Sequence, residues 1–265
     1  MSGGPPLPAR RRTAAPSPKG VLSGGDERLF GYLPEEVVRN LRRPGSESAL
    51  LWEAFYPFAH SGLPLRAFLA TRPQWGSQVA PERDDLLFPF FWGLDVDGRP
   101  MPGLADAAQV IAGRDDRLEV DLFLRGRTCL IAVEAKVDAE PGRCGRYEAG
   151  RCPEVQALEG TCRYWEKGAA FNDSLAFGDR PIRDQVDRPP CARHYQLART
   201  LLMVEYLGRT EGLEPYLCLL LPKSRWPAQR EGWQDFAERV RDEGQWRRLR
   251  VIAWEDLAAL PRPHR

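Results

Sequence analysis

The chain has 265 residues, long enough for a sizeable hydrophobic core in one large domain or two small ones. Its 38 basic and 37 acidic residues give a net charge of +1, which argues against a strongly cationic surface. No apolar run approaches the ~18 residues that span a bilayer, so we expect no membrane partner. Only four of the basic residues are lysines, and because arginine serves elsewhere, each lysine is more informative than usual.

The N-terminal segment is rich in Pro, Gly, Ser and Arg. This composition predicts a disordered tail over residues 1–26, followed by a single domain over residues 27–265. The segment contains a basic cluster, but no apolar stretch follows it, so it does not resemble a signal peptide. We therefore expect a cytoplasmic protein whose six cysteines are thiols or metal ligands rather than disulfides.

After the tail, the sequence predicts a short helix over residues 34–41 and a second helix over residues 46–58. Glu47 falls in the first turn of the second helix, where the helix dipole favours a negative charge. Pro57 is expected to end or kink this helix. Residues 64–113 are rich in aromatic residues and prolines, and their pattern predicts no definite element.

Residues 118–137 predict a β-hairpin, because two apolar strands flank a short polar turn. With Gly126 and Arg127 at the centre of the turn, Asp121 lies directly opposite Ala132. A change in the length of the turn would alter this register.

The same register places Glu119 opposite Glu134, and it makes Asp121 and Glu134 diagonal neighbours. Because side chains alternate along a strand, Asp121, Glu134 and Lys136 share one face of the sheet. Diagonal neighbours lie about 7–8 Å apart, close enough for two carboxylates to share a divalent metal ion. The interleaved apolar residues, expected to pack against a helix on the other face, are Ile131, Val133 and Ala135.

The rest of the chain predicts an alternation of helices and strands. A polar, Cys-bearing insertion over residues 142–193 comes first. It is followed by a helix over 194–208 ended by Gly208, a strand over 216–221, a helix over 233–243, a strand over 249–253 and a helix over 255–260. This order indicates a mixed α/β domain with a mixed central sheet flanked by helices.

Asp121, Glu134 and Lys136 form a set that suits phosphodiester hydrolysis. Carboxylate oxygens are the ligands that Mg²⁺ prefers, and the ion polarises a phosphate and helps to generate hydroxide. A nearby lysine can orient or deprotonate the attacking water and neutralise developing charge. An arginine could not accept the proton, whereas the pKa of a lysine can be lowered by its surroundings.

The run VDLFL, a turn and LIAVEAK resembles the core of the PD-(D/E)XK nuclease superfamily, which has a restriction-endonuclease-like fold. The resemblance implies that Asp121 and Glu134 bind the catalytic Mg²⁺ or Mn²⁺ and that Lys136 is the catalytic lysine. No proline precedes Asp121, and Asp106 is a competing candidate for the first aspartate.

The resemblance also implies two further site residues. Members of the superfamily often carry a glutamate on the first core helix, for which Glu53 is the first choice and Glu47 the alternative. Many also carry a polar residue on the helix after the sheet, a role that fits Gln196, with Arg199 one turn further on the same face.

The six cysteines divide into two groups. Cys129 and Cys218 lie within predicted strands and are expected to be core residues. The others lie in or beside the insertion, namely Cys144, Cys152, Cys162 and Cys191. They contain no CxxC spacing, so they are either free thiols or ligands of a structural zinc ion or iron–sulfur cluster. His194 could replace one of these ligands.

The leading hypothesis is therefore metal-dependent hydrolysis of DNA by an endonuclease or exonuclease. DNA is the expected partner, and double-strand cutting would suit a homodimer. Five arginines near the predicted site are candidates for phosphate contacts, namely Arg143, Arg146, Arg151, Arg163 and Arg193. Two alternatives are a non-catalytic nucleic-acid-binding relative of the fold and a Cys-rich, zinc-dependent interaction protein.

Overall fold

The computed structural model describes residues 27–77, 84–113, 120–156, 159–166, 171–184, 186–257 and 260. The predicted tail over residues 1–26 and the predicted pairing of Glu119 lie outside these described residues. No helix in the described part is both long enough and apolar enough to cross a membrane.

The described residues alternate between helices and strands. The helices are α1 (Glu27–Tyr32), α2 (Glu35–Leu41), α3 (Glu47–Phe55), α4 (Leu65–Leu69), α5 (Leu104–Ile111), α6 (Gly145–Glu148), α7 (Phe171–Ser174), α8 (Pro190–Arg193), α9 (Tyr195–Glu211), α10 (Trp226–Ala237), α11 (Glu243–Trp246) and α12 (Trp254–Leu257). The strands are β1 (Leu63–Pro64), β2 (Trp75–Gly76), β3 (Leu86–Phe91), β4 (Leu122–Arg125), β5 (Cys129–Ala135), β6 (Glu214–Leu221) and β7 (Leu249–Ala253).

The strands form one mixed sheet, in the order β1-β3-β4-β5-β6-β7-β2. The strands β3, β4 and β5 pair antiparallel, whereas β5, β6 and β7 pair parallel. Helices cover both faces of this sheet. The predicted fold class, a mixed α/β sheet flanked by helices, is confirmed.

Strand β5 lies at the centre, and all seven of its residues are buried. Ala132 and Leu130 belong to the core that packs against α9, while Ile131 and Val133 belong to the core that packs against α3. The expectation that Ile131, Val133 and Ala135 pack against a helix is therefore confirmed. A strand covered on both faces needs apolar residues at nearly every position.

The hairpin register differs from the predicted one by two residues. Leu122 pairs with Val133, and extending this ladder by one residue puts Asp121 directly opposite Glu134 instead of Ala132. The reason is a longer turn, in which the N–H of Gly126 donates to the carbonyl of Cys129 across 2.9 Å. A shift of two keeps each side chain on its predicted face, because the pleat also has a period of two.

The bounds of helices α9 and α10 also differ from the sequence prediction. Helix α9 continues past Gly208 to Glu211, and Gly212, which follows the helix, has a left-handed φ of 67° suited to glycine. Gly208 instead allows close packing, since a Cβ there would lie 2.8 Å from the Leu213 carbonyl oxygen. Helix α10 begins at Trp226, where Pro227 occupies the first turn, and ends earlier than predicted.

Candidate active site

Three of the predicted site residues meet at the end of the hairpin. The ammonium of Lys136 lies 3.7 Å from Oδ2 of Asp121 and 3.9 Å from Oε2 of Glu134. The backbone N–H of Ala135 donates to Oδ2 of Asp121 across 2.9 Å, which fixes this carboxylate over β5. Asp121 and Glu134 therefore both lie close to the same cation.

Glu134 is completely buried, and both of its carboxylate oxygens are hydrogen bonded. The side-chain amide of Gln196 donates to Oε2 across 2.6 Å, and the hydroxyl of Thr200 donates to Oε1. Gln196 and Thr200 are four residues apart on α9, so they lie one above the other on the same face of the helix. One face of α9 thus donates a hydrogen bond to each oxygen of the Glu134 carboxylate.

Burial raises the pKa of Glu134 to about 8, and the negative charge of Asp121 adds to this effect. Burial alone would lower the pKa of Lys136, but Asp121, Glu134 and Glu47 outweigh it, so the pKa is raised. Lys136 is therefore a charged ammonium at neutral pH. This direction is opposite to the one that a proton-accepting lysine requires.

Glu47, the alternative to Glu53, is the helical glutamate that the fold brings to the cluster. Its Oε1 accepts a hydrogen bond from the N–H of Val137 across 3.0 Å. The hydroxyl of Ser46 caps α3 by accepting from the N–H of Ala49, which fixes the start of this helix beside β5. Glu53, the first choice, lies nearly two turns further on, on the exposed side of α3.

Asp106 also lies outside the cluster. It is exposed in the first turn of α5, so Asp121 is the aspartate that faces Glu134.

A cleft of about 1060 Å³ opens beside these residues. Its walls include Asp121, Glu47, Asp138 and Trp92. The backbone N–H of Trp92 donates to the carbonyl of Asp121 across 3.1 Å. The cleft leads from the surface to the half-buried Asp121 carboxylate, so a ligand can reach it.

Gln196 also contacts the first residues of the insertion. Its side-chain oxygen accepts from the N–H of Gly142 across 2.5 Å, and its own backbone N–H donates to the carbonyl of Gly142 across 3.0 Å. A Cβ at position 142 would lie 3.1 Å from this oxygen. Arg199, predicted on the same face, lies over the ring of Tyr195, with its guanidinium carbon 5.4 Å from the ring centre.

The donor set at this site suits a hard divalent ion. Mg²⁺ is usually held by one or two carboxylates and completes its coordination with water and substrate phosphate. Among the described residues, no three His, Cys, Asp or Glu side chains are placed to hold a metal ion. Two facing side chains, those of Asp121 and Glu134, could supply oxygen donors for Mg²⁺ or Mn²⁺, and the Lys136 ammonium lies within 4 Å of both.

The remaining predicted residues lie around this centre. Cys129 and Cys218 are buried in β5 and β6, as expected of core residues. Arg163 is engaged elsewhere, since it donates to the carbonyls of Gln109 and Val110 at the end of α5. Arg193 pairs with an aspartate on α10, whereas three other arginines are exposed on the insertion, namely Arg143, Arg146 and Arg151.

The sequence prediction missed Thr200. It lies one turn after Gln196 in a helix whose neighbouring residues are apolar and buried. A small polar residue at that spacing on a buried face needs a partner, so the signal was present in the sequence.

Comparison with known proteins gives one family. No curated protein and no solved structure matches the chain significantly. A family model described as restriction endonuclease associating with ARP matches residues 110–264, which include Asp121, Glu134, Lys136 and Gln196. The match indicates a nuclease-like role in DNA processing. Because it covers more than half of the chain and all of the hairpin site, this chain belongs to the family described as restriction endonuclease associating with ARP.

Proposed function

We propose that this protein hydrolyses phosphodiester bonds of DNA in a reaction that depends on Mg²⁺ or Mn²⁺. The observation that carries the proposal is the convergence of Asp121, Glu134 and Lys136 at the end of a buried central strand. Two carboxylates and an ammonium at one point provide both metal ligands and a positive charge for the phosphate.

In this proposal Asp121 and Glu134 hold the ion. When bound, the ion polarises the phosphate and lowers the pKa of water, so that hydroxide is available near neutral pH. Gln196 and Thr200 fix the orientation of Glu134, since each donates to one of its oxygens. Holding the ligand in place before the substrate arrives reduces the reorganisation needed during the reaction.

Lys136 acts as a positive charge rather than as a base. Its carbonyl accepts from the indole N–H of Trp254 across 2.9 Å, and its backbone N–H donates to the carbonyl of Leu220 across 2.8 Å. The backbone is therefore fixed, while the ammonium reaches the carboxylates. From this position it stabilises the negative charge that develops on the phosphate.

DNA fits the site better than a small anion would. The cleft beside Asp121 is open, and the insertion that borders Gln196 carries exposed arginines. Arg143 pairs with Glu140 across 3.0 Å, but both side chains are largely exposed, so this pair is weak and can yield to a phosphate. A local group of arginines compensates for the near-neutral net charge of the chain.

The burial of Glu134 favours a catalytic protein over a non-catalytic relative. A carboxylate that is completely buried beside a second carboxylate is costly to maintain. A module that only binds nucleic acid would lose nothing by replacing it with an apolar residue. The carboxylate is instead supported by two side chains of α9, as a metal ligand requires.

The proposal is tested by incubating the full chain with plasmid DNA, linear duplex, single-stranded DNA and RNA, with Mg²⁺, Mn²⁺ or a chelator. We expect cleavage of DNA with either ion, no cleavage with the chelator, and loss of activity in Asp121→Asn. Intact DNA under all conditions, with a folded wild-type protein, would refute the proposal. Equal cleavage by Asp121→Asn would refute the assignment of the site.

A further inference from the structure

A second cavity, of about 410 Å³, lies between α9, α10 and the loop that follows β5. Among the described residues, none lines both this cavity and the cleft beside Asp121. Its apolar lining includes Pro141, Leu197, Leu219 and Trp233. The volume falls within the range of about 300–1000 Å³ that is typical of small-molecule sites. We call this cavity the α9–α10 pocket.

The α9–α10 pocket adjoins the candidate active site. Leu219 lies directly beside Glu134, because the two residues pair in the parallel ladder of β6 and β5. Neighbouring strands lie about 4.8 Å apart. Both side chains face α9, since Glu134 is hydrogen bonded to Gln196 and Leu219 packs in the same core as Leu197. A ligand in the pocket therefore lies within a few side chains of the Glu134 carboxylate.

Two buried polar side chains of the α9–α10 pocket have no partner within the described part of the chain. Gln229 is 9% exposed and Trp233 is 2% exposed. The indole N–H of Trp233 has no hydrogen-bond acceptor there. The side-chain amide of Gln229 likewise forms no hydrogen bond with another described residue. Because buried polar groups in folded proteins are almost always paired, both groups are available to a ligand.

The charged side chains of the pocket include both signs. Arg193 lies 3.2 Å from Asp235, and Arg143 lies 3.0 Å from Glu140. With the exposed Glu231, this set carries no excess of positive charge. A neutral ligand therefore suits the pocket better than a free anion does. Both arginine side chains are about half exposed, so they can still contact a phosphate attached to such a ligand.

A nucleobase has the chemistry that matches these groups. It is neutral and planar, and its edge both donates and accepts hydrogen bonds. A glutamine amide pairs with adenine through two bonds, because it donates to N7 and accepts from the N6 amino group. An indole N–H is a donor only, and ring nitrogens of a base accept from it. The apolar lining suits the faces of the ring.

We propose that the α9–α10 pocket binds one unstacked base of the DNA substrate and prefers adenine. This inference rests on the proposed function, since it assigns a substrate contact beside the same active site. Gln229 reads the edge of the base, while Arg143 and Arg193 contact the adjoining phosphates. Unstacking costs least in single-stranded DNA, so adenine in single strands or frayed ends is the preferred target.

The first test measures binding of mononucleotides to the full chain by equilibrium dialysis in the presence of a chelator. The chelator prevents the phosphate from binding through a metal ion at the hairpin site. We expect dAMP to bind at least about fivefold more tightly than dCMP, dGMP or dTMP, and deoxyribose phosphate to bind more weakly still. No saturable binding of dAMP, or equal affinity for all of these compounds, overturns the proposal.

Variants of α10 locate the binding. Gln229→Leu should lower the affinity for dAMP at least about tenfold, whereas Gln234→Leu, on the same helix but not in the pocket lining, should leave it unchanged. If Gln229→Leu does not fold, Gly232→Leu serves instead. A Cβ at Gly232 meets no atom within 4 Å, so a leucine there obstructs the pocket without a clash. Wild-type affinity in the folded Gln229→Leu or Gly232→Leu variant contradicts the assignment.

A DNA arm distinguishes a base of the substrate from a free nucleotide. Single-stranded oligothymidylate with one adenine is compared with the same strand carrying an abasic site, again with chelator. We expect the adenine strand to bind at least about fivefold more tightly, and the difference to disappear in Gln229→Leu or Gly232→Leu. Equal binding of the two strands by a protein that binds dAMP refutes the assignment to DNA. None of these measurements requires cleavage, so their failure leaves the proposed function standing.

Discussion

Gln196 donates its side-chain amide to the carboxylate of Glu134 across 2.6 Å, so α9 and β5 meet at the candidate metal ligand. Thr200 supplies the second hydrogen bond from the same helix face. The orientation of Glu134 is therefore set by helix residues 62 and 66 positions further along the chain. This dependence makes the helix face a good target for mutation.

Thr200→Val should weaken metal binding and lower stability. Valine has nearly the shape of threonine but cannot donate, so one buried oxygen of Glu134 loses its partner. The loss of a buried hydrogen bond costs about 1–3 kcal/mol, which denaturant unfolding can measure. Mn²⁺ affinity should fall in parallel. Thr210→Val, on an exposed position of the same helix, is the matched control and should change neither quantity.

Lys136→Met should lower the rate of DNA cleavage while leaving metal binding intact. Loss of a group that stabilises transition-state charge typically costs ~10²–10³ in rate. Asp121 and Glu134 lose a competing cation, so Mn²⁺ should bind at least as tightly as in the wild type. Lys223→Met, an exposed lysine paired with Asp256, is the control. Weaker Mn²⁺ binding in Lys136→Met would argue against this role.

The stability of the metal-free protein should fall as the pH rises through the range of about 5 to 8. The folded pKa of Glu134 is about 8, whereas its unfolded value is 4.5, so the folded protein retains a proton that the unfolded chain has lost. The contribution of Glu134 to the free energy of unfolding therefore declines by at most about 1.4 kcal/mol per pH unit.

The difference in unfolding free energy between wild type and Glu134→Gln isolates this effect. Taking this difference removes the contributions to the pH dependence that both proteins share, such as that of His194, whose pKa is lowered by burial. A difference that is constant between pH 5 and pH 8 would show that Glu134 does not retain its proton.

Asp85→Ala should destabilise the β4–β5 hairpin. The Asp85 carboxylate is buried and accepts from the N–H groups of Arg127 and Thr128 across 2.6 and 2.8 Å. Burial opposes its ionisation, but these hydrogen bonds outweigh burial and lower its pKa. We expect a loss of about 2–4 kcal/mol in denaturant unfolding. The exposed Asp97→Ala should change stability by less than about 0.5 kcal/mol; a loss as large as that of Asp85→Ala would contradict this explanation.

The hairpin and its site could be predicted from sequence because their signals are local. An apolar strand followed by Glu134 and Lys136 defines β5, and the period of the pleat puts Asp121 on the same face even when the register is two residues off. The register itself could not be predicted, because Asp85 fixes the turn from a position about 40 residues earlier.

The partners of the site were harder to predict because they depend on tertiary packing. Glu47 and Glu53 are both helical glutamates, and only the packing of α3 against β5 separates them.

The most direct test of the catalytic assignment compares Glu134→Gln with Glu53→Gln in one Mg²⁺-dependent DNA cleavage assay. Both variants replace a glutamate by its neutral amide, but only Glu134 faces Asp121 across the hairpin. We expect Glu134→Gln to lose at least about 10²-fold in rate and Glu53→Gln to cleave like the wild type. Equal rates for the two folded variants would contradict the proposed site.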